Sequence, residues 1–211
     1  MSVLQQASAF NRKRKWNQFM ELASPGPATR VLDVGFNEAE WSETDNYIER
    51  HYPWPENLTA LGMHQPVEFL RRYPRVRAVR YDGRVFPFED RSFDVVWANA
   101  VLEHVGDFDR QVEFVKEMRR VGDALFFSTP NRGFPLELHT YLPFLHWLPK
   151  SAHDACLRRL GRGDYAGDYM HLLTRRQLLR VLSAAGLAAC RLLQNRVCGW
   201  TMDFAVWVGP R

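Results

Sequence analysis

The sequence predicts an α/β fold with a mostly parallel sheet, and two observations support this class. Short apolar runs, which are typical of buried strands, alternate with segments long enough to form crossover helices. The first run, Arg30–Val34, lies between a Pro-Gly-Pro turn and Gly35, which puts Asp33 and Gly35 at the carboxyl edge of the sheet. Open α/β sheets bind their ligands at that edge.

The predicted elements follow one another in a regular order along the chain. Strands are predicted at Arg30–Val34, Asn57–Met63, Val76–Asp82, Phe93–Ala98 and Ala124–Thr129, with a closing hairpin at about Ala188–Gln194 and Trp200–Val208. Helices are predicted over Ser8–Leu22, Thr44–His51 and Pro66–Tyr73, after a cap at Asp107 or Asp109, and from a Thr174 and Gln177 capping box through Ala185 to Gly186. Residues 1–28 are therefore expected to form a helix that flanks the sheet.

Length and composition indicate one globular domain. The 211 residues suit a single domain over 1–211 with appendages, and contents of 46% hydrophobic and 25% charged residues argue against disorder. No apolar run reaches the roughly 18 residues of a membrane span. Because Met1–Phe10 also lacks a signal-peptide core, we expect a cytoplasmic protein, as a monomer or a homodimer. The three cysteines lack metal-like pairing and are expected to stay reduced.

A dense basic cluster, Arg12–Lys15, stands near the amino terminus. The net charge of +4 and the pI near 9.1 permit an anionic partner without requiring one. A solvated helix face is the favoured interpretation of the cluster, ahead of contact with nucleic acid or anionic lipid. Nucleic acid is therefore not an expected partner.

Residues 130–173 are the least regular part of the chain, with four prolines and many aromatic and histidine residues. A segment of this kind, directly after a strand, is expected to be a lid over a substrate site. Its apolar residues, including Tyr141, Phe144 and Trp147, have two open interpretations. Exposed, they would suit a hydrophobic acceptor or peripheral contact with a membrane; folded back, they would be part of the core.

Three blocks of the sequence, LDVG, YDGRVFPFEDRSFDVVWANAVLEHV and FFSTPNR, resemble class I S-adenosylmethionine-dependent methyltransferases of the type-11-like group. The resemblance covers about Val31–Arg132. It implies a Rossmann-like, seven-stranded, mostly parallel sheet with helices on both faces and an antiparallel last strand. It also implies S-adenosylmethionine as cofactor and methyl transfer to an oxygen or nitrogen of a small or lipid-like metabolite.

The resemblance assigns cofactor contacts to four sites at the sheet edge. Asp33 and Gly35 match the motif beside the methionine portion, and the acid that faces the adenine amino group matches Asp82. The segment under the sulfonium matches Asn99, Ala100 and Val101. Further predicted contacts are Gly83 and Arg84 beside Asp82, Asn37 and Glu38 in the first loop, and Met63 and His64 after the second strand.

Two positions depart from the pattern of the family. Phe36 follows Gly35 where further glycines are usual, and its side chain would restrict close approach of the backbone to a ligand. His64 and Gln65 replace the acid that grips the ribose, so Glu38, Glu40 or Glu43 would have to reach it instead. The alternative function is therefore a protein of this fold that has lost methylation and serves as a binding or regulatory module.

The candidate catalytic residues are His104 and His139. His104 is either a general base at the reactive end or a histidine that orients a helix start, and His139 is either an acceptor-side base or part of the lid packing. No metal site is expected. Ala100 stands where metal-binding relatives place a second Glu beside Glu103, and prolines interrupt the seven-residue spacing of His139, His146 and His153.

Overall fold

The computed structural model describes residues 3–137 and 139–211 and contains one seven-stranded sheet. Its strands are β1 (Val31–Val34), β2 (Leu58–Gly62), β3 (Arg77–Arg80), β4 (Phe93–Asn99), β5 (Gly122–Pro130), β6 (Arg191–Val197) and β7 (Trp200–Val208). The helices are α1 (Val3–Ala23), α2 (Tyr47–His51), α3 (Val67–Arg72), α4 (Phe108–Val121), α5 (Lys150–Arg159) and α6 (Arg175–Ala184).

The strand order is β3-β2-β1-β4-β5-β7-β6. Strands β1 to β5 pair in parallel, whereas β7 is antiparallel to both β5 and β6. The chain reverses its sequential order at β1, and the crevice beside such a reversal is where ligands bind in open sheets. The prediction of a seven-stranded, mostly parallel sheet with an antiparallel last strand is confirmed.

Helices cover both faces of the sheet because neighbouring residues of each strand point to opposite sides. On one face Leu32 packs in a core to which α4 and α6 contribute. On the other face Val31 and Trp97 pack with residues of α1, α2 and α3. Trp97 stacks on Phe126 with ring centroids 5.1 Å apart, and Phe19 of α1 meets Trp97 edge-on at 5.0 Å. The flank position predicted for the first helix follows from these contacts.

Several predicted boundaries are wrong by a few residues. α1 begins at Val3 rather than Ser8, and α2 begins only at Tyr47, because Asp45 binds the backbone amides of Trp41 and Ser42 and holds the preceding residues in a turn. The strand predicted from Ala188 begins at Arg191, since the chain turns over residues 188–190 after α6 ends. The Thr174 and Gln177 capping box is present as predicted.

The solvated helix face predicted for the basic cluster is wrong for two of its members. Lys15 is buried and forms an ion pair with Asp203 of β7 at 3.2 Å, and Asn11 donates to the same carboxylate. Arg12 lines the cleft at the sheet edge. A charged residue can be buried in this way only when it is paired, and the partner on β7 is distant in sequence. In the part of the chain that is described, no helix combines the length and apolar character needed to cross a membrane.

Candidate active site

A cleft of about 900 Å³ opens at the carboxyl ends of β1, β2 and β4. This volume lies within the range of sites that bind cofactor-sized molecules. Most of the predicted site residues line it together: Asp33, Gly35, Asn37, Met63, His64, Asp82, Gly83, Arg84, Asn99, Ala100, Val101, His104 and His139. The structure therefore gathers predicted residues from five separate segments into one crevice.

The backbone at the end of β1 passes very close to the loop after β4. Gly35 has φ +105°, and a Cβ added there would lie 2.4 Å from Cγ2 of Val101. Only glycine fits this approach. The obstruction expected from Phe36 does not arise, because its ring is buried against Phe69 at 4.5 Å between centroids and fills the space that Gly62 leaves free.

The expectation that Glu38 binds the cofactor is wrong. Its carboxylate accepts hydrogen bonds from the backbone amides of Glu68, at 2.6 Å, and Phe69, at 3.2 Å, at the start of α3. Glu40 is similarly committed, since it accepts from Asn46 and from the hydroxyl of Tyr73. Neither glutamate is among the described residues that line the cleft.

Two buried carboxyl groups face the cleft at the end of β1. Burial raises the pKa of Asp33 to about 6. Burial, together with the charge of Asp33, raises the pKa of Glu49 well above its usual range. Like charges this close resist simultaneous ionisation, so the empty pair retains protons that a bound cation would displace. Apart from the carboxyl group of Asp33, no side chain among the described residues forms a hydrogen bond with the carboxyl group of Glu49.

The end of β3 forms a tight turn on the other side of the cleft. Asp82 accepts a hydrogen bond from the backbone amide of Arg84 at 2.9 Å, and Gly83 has φ +82°. A Cβ at Gly83 would lie 3.3 Å from the sulfur of Met63, so Met63 packs directly on this turn. The acid that the resemblance assigns to the adenine is thus held at the cleft by its own turn.

Two imidazoles meet at the opposite end of the cleft, with their ring centroids 5.1 Å apart. Nδ1 of His104 lies 2.9 Å from the carbonyl oxygen of Tyr169. Because a carbonyl only accepts, Nδ1 carries the proton and Nε2 of His104 keeps a lone pair. Nδ1 of His139 lies 2.7 Å from the carboxylate of Glu137. Each ring is therefore held in a fixed orientation, His104 by Tyr169 at the edge of the cleft and His139 by Glu137 behind it.

The Glu137–His139 pair has strongly shifted proton affinities. Burial opposes both charges, but the hydrogen bond and the charge of His139 outweigh it and lower the pKa of Glu137 to about 2. For His139, burial is likewise outweighed by Glu137 and the charge of Glu103, so its pKa is raised. His139 therefore carries positive charge over a wider pH range than a free imidazole.

Glu103 lies fully buried beneath the two imidazoles. One carboxylate oxygen accepts from the hydroxyl of Thr129 at 3.0 Å, the other has no partner among the described residues, and burial raises the pKa of the group. Ligand atoms of Glu103, His104 and His139 all lie within 4.8 Å of one another. His139 thus offers a third potential metal ligand, which the reasoning from Ala100 did not identify.

Three residues that line the cleft, Arg12, Glu49 and Tyr169, were not predicted from the sequence, and neither was Glu137, which orients His139 from outside it. The Glu-x-His spacing of Glu137 and His139 was a usable local signal, because a carboxylate two residues away can orient an imidazole. Arg12 and Glu49 gave no local signal, since they approach Asp33 only after α1 and α2 fold onto the sheet.

The segment at residues 130–173 packs partly over this end of the molecule and is partly exposed. It contains α5 and three short 3₁₀ turns, so no single helix aligns His139, His146 and His153. Tyr141, Phe144 and Trp147 remain between 43% and 54% exposed, whereas His146 is buried. The exposed interpretation therefore applies to these three aromatic residues, and four other apolar side chains of the segment are half-buried: Phe134, Leu136, Leu142 and Leu145.

The strand order, with β7 inserted antiparallel between β5 and β6, and the cleft at the reversal of strand order define the fold of class I methyltransferases. A methyltransferase from Aquifex aeolicus has a similar structure, with a TM-score of 0.56 and 12% identity over 93% of this chain and 87% of that one. So does the N-methyltransferase NodS of Bradyrhizobium japonicum in complex with S-adenosylhomocysteine, with a TM-score of 0.55 and 15% identity over 93% of this chain and 85% of that one.

Sequence comparisons agree with the fold. Residues 50–123 match the family model described as a methyltransferase domain. The ubiquinone biosynthesis O-methyltransferase of Aromatoleum aromaticum is 28% identical over 173 residues, or 78% of this chain and 66% of the relative. That of Coxiella burnetii is 33% identical over 76 residues, 35% of this chain and 32% of the relative. The chain thus spans between a third and two thirds of these relatives.

Residues 50–123, about a third of the chain, match the methyltransferase model, and the fold is that of class I S-adenosylmethionine-dependent methyltransferases, which the chain resembles. S-adenosylmethionine is the cofactor of this group, and the chemistry of the donor set suits it. The cleft combines buried carboxyl groups for a cationic portion with an arginine for a carboxylate, and its volume accommodates a nucleoside.

Proposed function

We propose that the protein transfers a methyl group from S-adenosylmethionine to an oxygen or nitrogen of a small or lipid-like molecule, with a hydroxyl oxygen favoured. The observation that carries this proposal is the pairing, in one cleft, of buried carboxyl groups at the end of β1 with two oriented imidazoles at the other end. The names of the O-methyltransferase relatives support the same chemistry.

The residues of the β1 edge would hold the amino acid portion of the cofactor. Asp33 and Glu49 offer carboxylates to its ammonium group, and Arg12 offers a guanidinium to its carboxylate. Asp82, at the other side of the cleft, would accept a hydrogen bond from the adenine amino group. No acid follows β2, so Met63 and His64 would contact the ribose by packing and by a single hydrogen bond.

The imidazoles would serve the acceptor. S-adenosylmethionine supplies an electrophilic methyl group, so the protein has to position the acceptor and remove its proton. Nε2 of His104 is available as the base, because Nδ1 donates to Tyr169. Protonated His139 would stabilise the developing oxyanion, since Glu137 favours its charged form. A neutral amine needs neither group before attack, which is why a hydroxyl acceptor is favoured.

The mouth of the cleft suits an acceptor with an apolar part. Trp41 lines the cleft and is 90% exposed, and Tyr169 lines it at 40% exposure. Exposed aromatic side chains beside a polar site provide apolar contact area for a bound molecule.

Label transfer tests the proposal. Methyl-labelled S-adenosylmethionine would be incubated with the protein and matched panels of phenols and amines, with His104→Asn in parallel. We expect label in phenols, and far less with the variant. Saturable cofactor binding without transfer to any acceptor would instead favour the binding or regulatory module, and label in amines alone would contradict the hydroxyl assignment.

A divalent ion at Glu103, His104 and His139 is a second candidate for activating the acceptor, because these residues place three ligand atoms close together. Such an ion would lower the pKa of a bound hydroxyl. Exhaustive dialysis against a chelator separates the two mechanisms. Activity that survives supports the imidazole base, and activity that disappears and returns with Mg²⁺ or Mn²⁺ would transfer that role to the ion.

A further inference from the structure

A second cavity lies away from the cofactor cleft, between the lid segment and α6. It has a volume of about 520 Å³ and shares no lining residue with the cleft. Its walls come from α4, the segment after β5, α5 and α6. The backbone between the two spaces is tied together, since Gln111 donates to the carbonyls of Leu102 and His171, and the amide of His171 donates to the carbonyl of Glu103.

The charged groups on its walls are all cationic. Arg132, Lys150 and Arg180 line it, and no carboxylate does. Lys150 is neutralised by Asp154 at 2.6 Å, which also lies 3.4 Å from His153. Neither Arg132 nor Arg180 has a carboxylate partner in the described ranges; Arg132 is held by the carbonyls of His146 and Leu148, and Arg180 lies over the ring of Phe108. Two guanidinium groups thus remain without a counter-charge.

The rest of the wall is formed by a buried imidazole and apolar side chains. His146 is 5% exposed, and its ring is held by the carbonyl of Phe134, which lies 2.8 Å from Nε2. Nδ1 of His146 is itself enclosed by protein, so a molecule in the cavity has no access to it. Phe108, Leu148, Met170 and Leu173 supply apolar wall. A ligand in the cavity therefore meets two guanidinium groups and an apolar surface.

We propose that this cavity is a second ligand site for a small carboxylate with an apolar body. The carboxylate would bind Arg132 and Arg180, and the apolar portion would fill the remainder. The site is separate from methyl transfer, and its occupation needs no cofactor.

Calorimetry with three matched probes tests each part of the assignment. 3-Phenyllactate carries both polar groups, 3-phenylpropanoate lacks the hydroxyl, and 3-phenylpropane-1,2-diol lacks the carboxylate. We expect saturable binding of phenyllactate that weakens with salt, binding of phenylpropanoate within about twofold of it, and roughly tenfold weaker binding of the diol, because only the carboxylate meets the two arginines. Equal binding of all three, or no saturable binding at millimolar concentrations, would overturn the proposal.

Two arginine variants of α6 provide a mutational test and its matched control. Arg180→Gln should weaken phenyllactate binding roughly tenfold, because a charge-assisted bond is lost. Arg176→Gln lies on the exposed surface of the same helix outside the cavity and should leave binding unchanged. Both variants should bind S-adenosylhomocysteine as the wild type does. Equal weakening of phenyllactate binding by the two variants would show that the ligand responds to the positive charge of the surface and not to the cavity, which would overturn the proposal.

Discussion

The two ends of the cleft differ in the charge state of their side chains. The β1 end, with Asp33 and Glu49, is the donor end of the proposed reaction, and the lid end, with His104 and His139, is its acceptor end. At the β1 end, burial opposes the ionisation of Asp33 and Glu49, and a bound cation would favour it. At the lid end, Glu137 is ionised and holds a proton on His139. When empty, the donor end therefore holds protons in place of a cation, whereas the acceptor end is already paired. If the ammonium group of the cofactor binds at the donor end, we expect cofactor binding to release protons and acceptor binding to release none.

The largest expected effect tests the acceptor end. His104→Asn should lower kcat by about 10²- to 10⁴-fold, because a general base is removed. Binding of S-adenosylhomocysteine should stay unchanged, since His104 is oriented by Tyr169 at the far end of the cleft. Steady-state kinetics and calorimetry measure the two effects. His153→Asn, in the lid but outside the cleft, is the control, and equal loss of turnover and cofactor affinity in His104→Asn would make His104 a structural residue.

The donor end is tested by Asp33→Asn. The variant should bind S-adenosylmethionine about 10- to 100-fold more weakly, because a charge-assisted hydrogen bond to a cation is lost. Glu89→Gln, an exposed acid with no role in the cleft, should bind normally. An unchanged dissociation constant in Asp33→Asn would show that the cofactor does not contact Asp33 at the end of β1.

The same substitution should stabilise the empty protein. Burial raises the pKa of Asp33 to about 6 in the folded state, above the unfolded value of about 3.9. The folded protein therefore holds the proton longer, and the contribution of Asp33 to the free energy of unfolding falls as pH rises from about 4 to about 6. Above about pH 7, the free energy of unfolding of Asp33→Asn should exceed that of the wild type by roughly 1 to 3 kcal/mol, as measured by denaturant unfolding. Lower stability than the wild type would show that Asp33 is satisfied without a cofactor.

A smaller effect is expected from Glu137→Gln. Loss of the carboxylate should lower the pKa of His139, because the hydrogen bond and charge that outweigh burial disappear. If protonated His139 assists the reaction, the alkaline fall in kcat should move to lower pH, with a several-fold lower maximum. Titration of the His139 ring by NMR gives an independent reading. If the pH dependence of kcat does not change in Glu137→Gln, the role of Glu137 is structural and confined to the packing of the lid.

Local sequence patterns were enough to predict which residues lie at the cleft after β1 and β3, but they did not predict that the two imidazoles meet, and the reason is physical. The strand ending in Asp33 and the turn after Asp82 are local patterns, so their positions follow from the order of the elements. Phe36 was misjudged because the space for its ring is created by Gly62 on the neighbouring strand. Glu38 was misjudged because the helix start that it binds belongs to a later segment.

The acceptor end depends on contacts across long stretches of chain. His104 and His139 meet only because the lid folds back over the loop after β4, and the irregular sequence of the lid predicts no such path. The burial of Lys15 likewise required knowledge that Asp203 on β7 would lie beneath α1. Helix and strand periodicity carries no information about partners of this kind.

Calorimetry of S-adenosylmethionine binding in buffers of different ionisation enthalpy tests the central claim most directly. At about pH 6, where the buried pair still retains protons, the wild type should bind the cofactor with net release of protons, and Asp33→Asn should release fewer while His104→Asn releases as many. Binding without proton release, or no binding at all, would contradict the claim that the buried carboxyl groups of Asp33 and Glu49 bind the ammonium group of the cofactor.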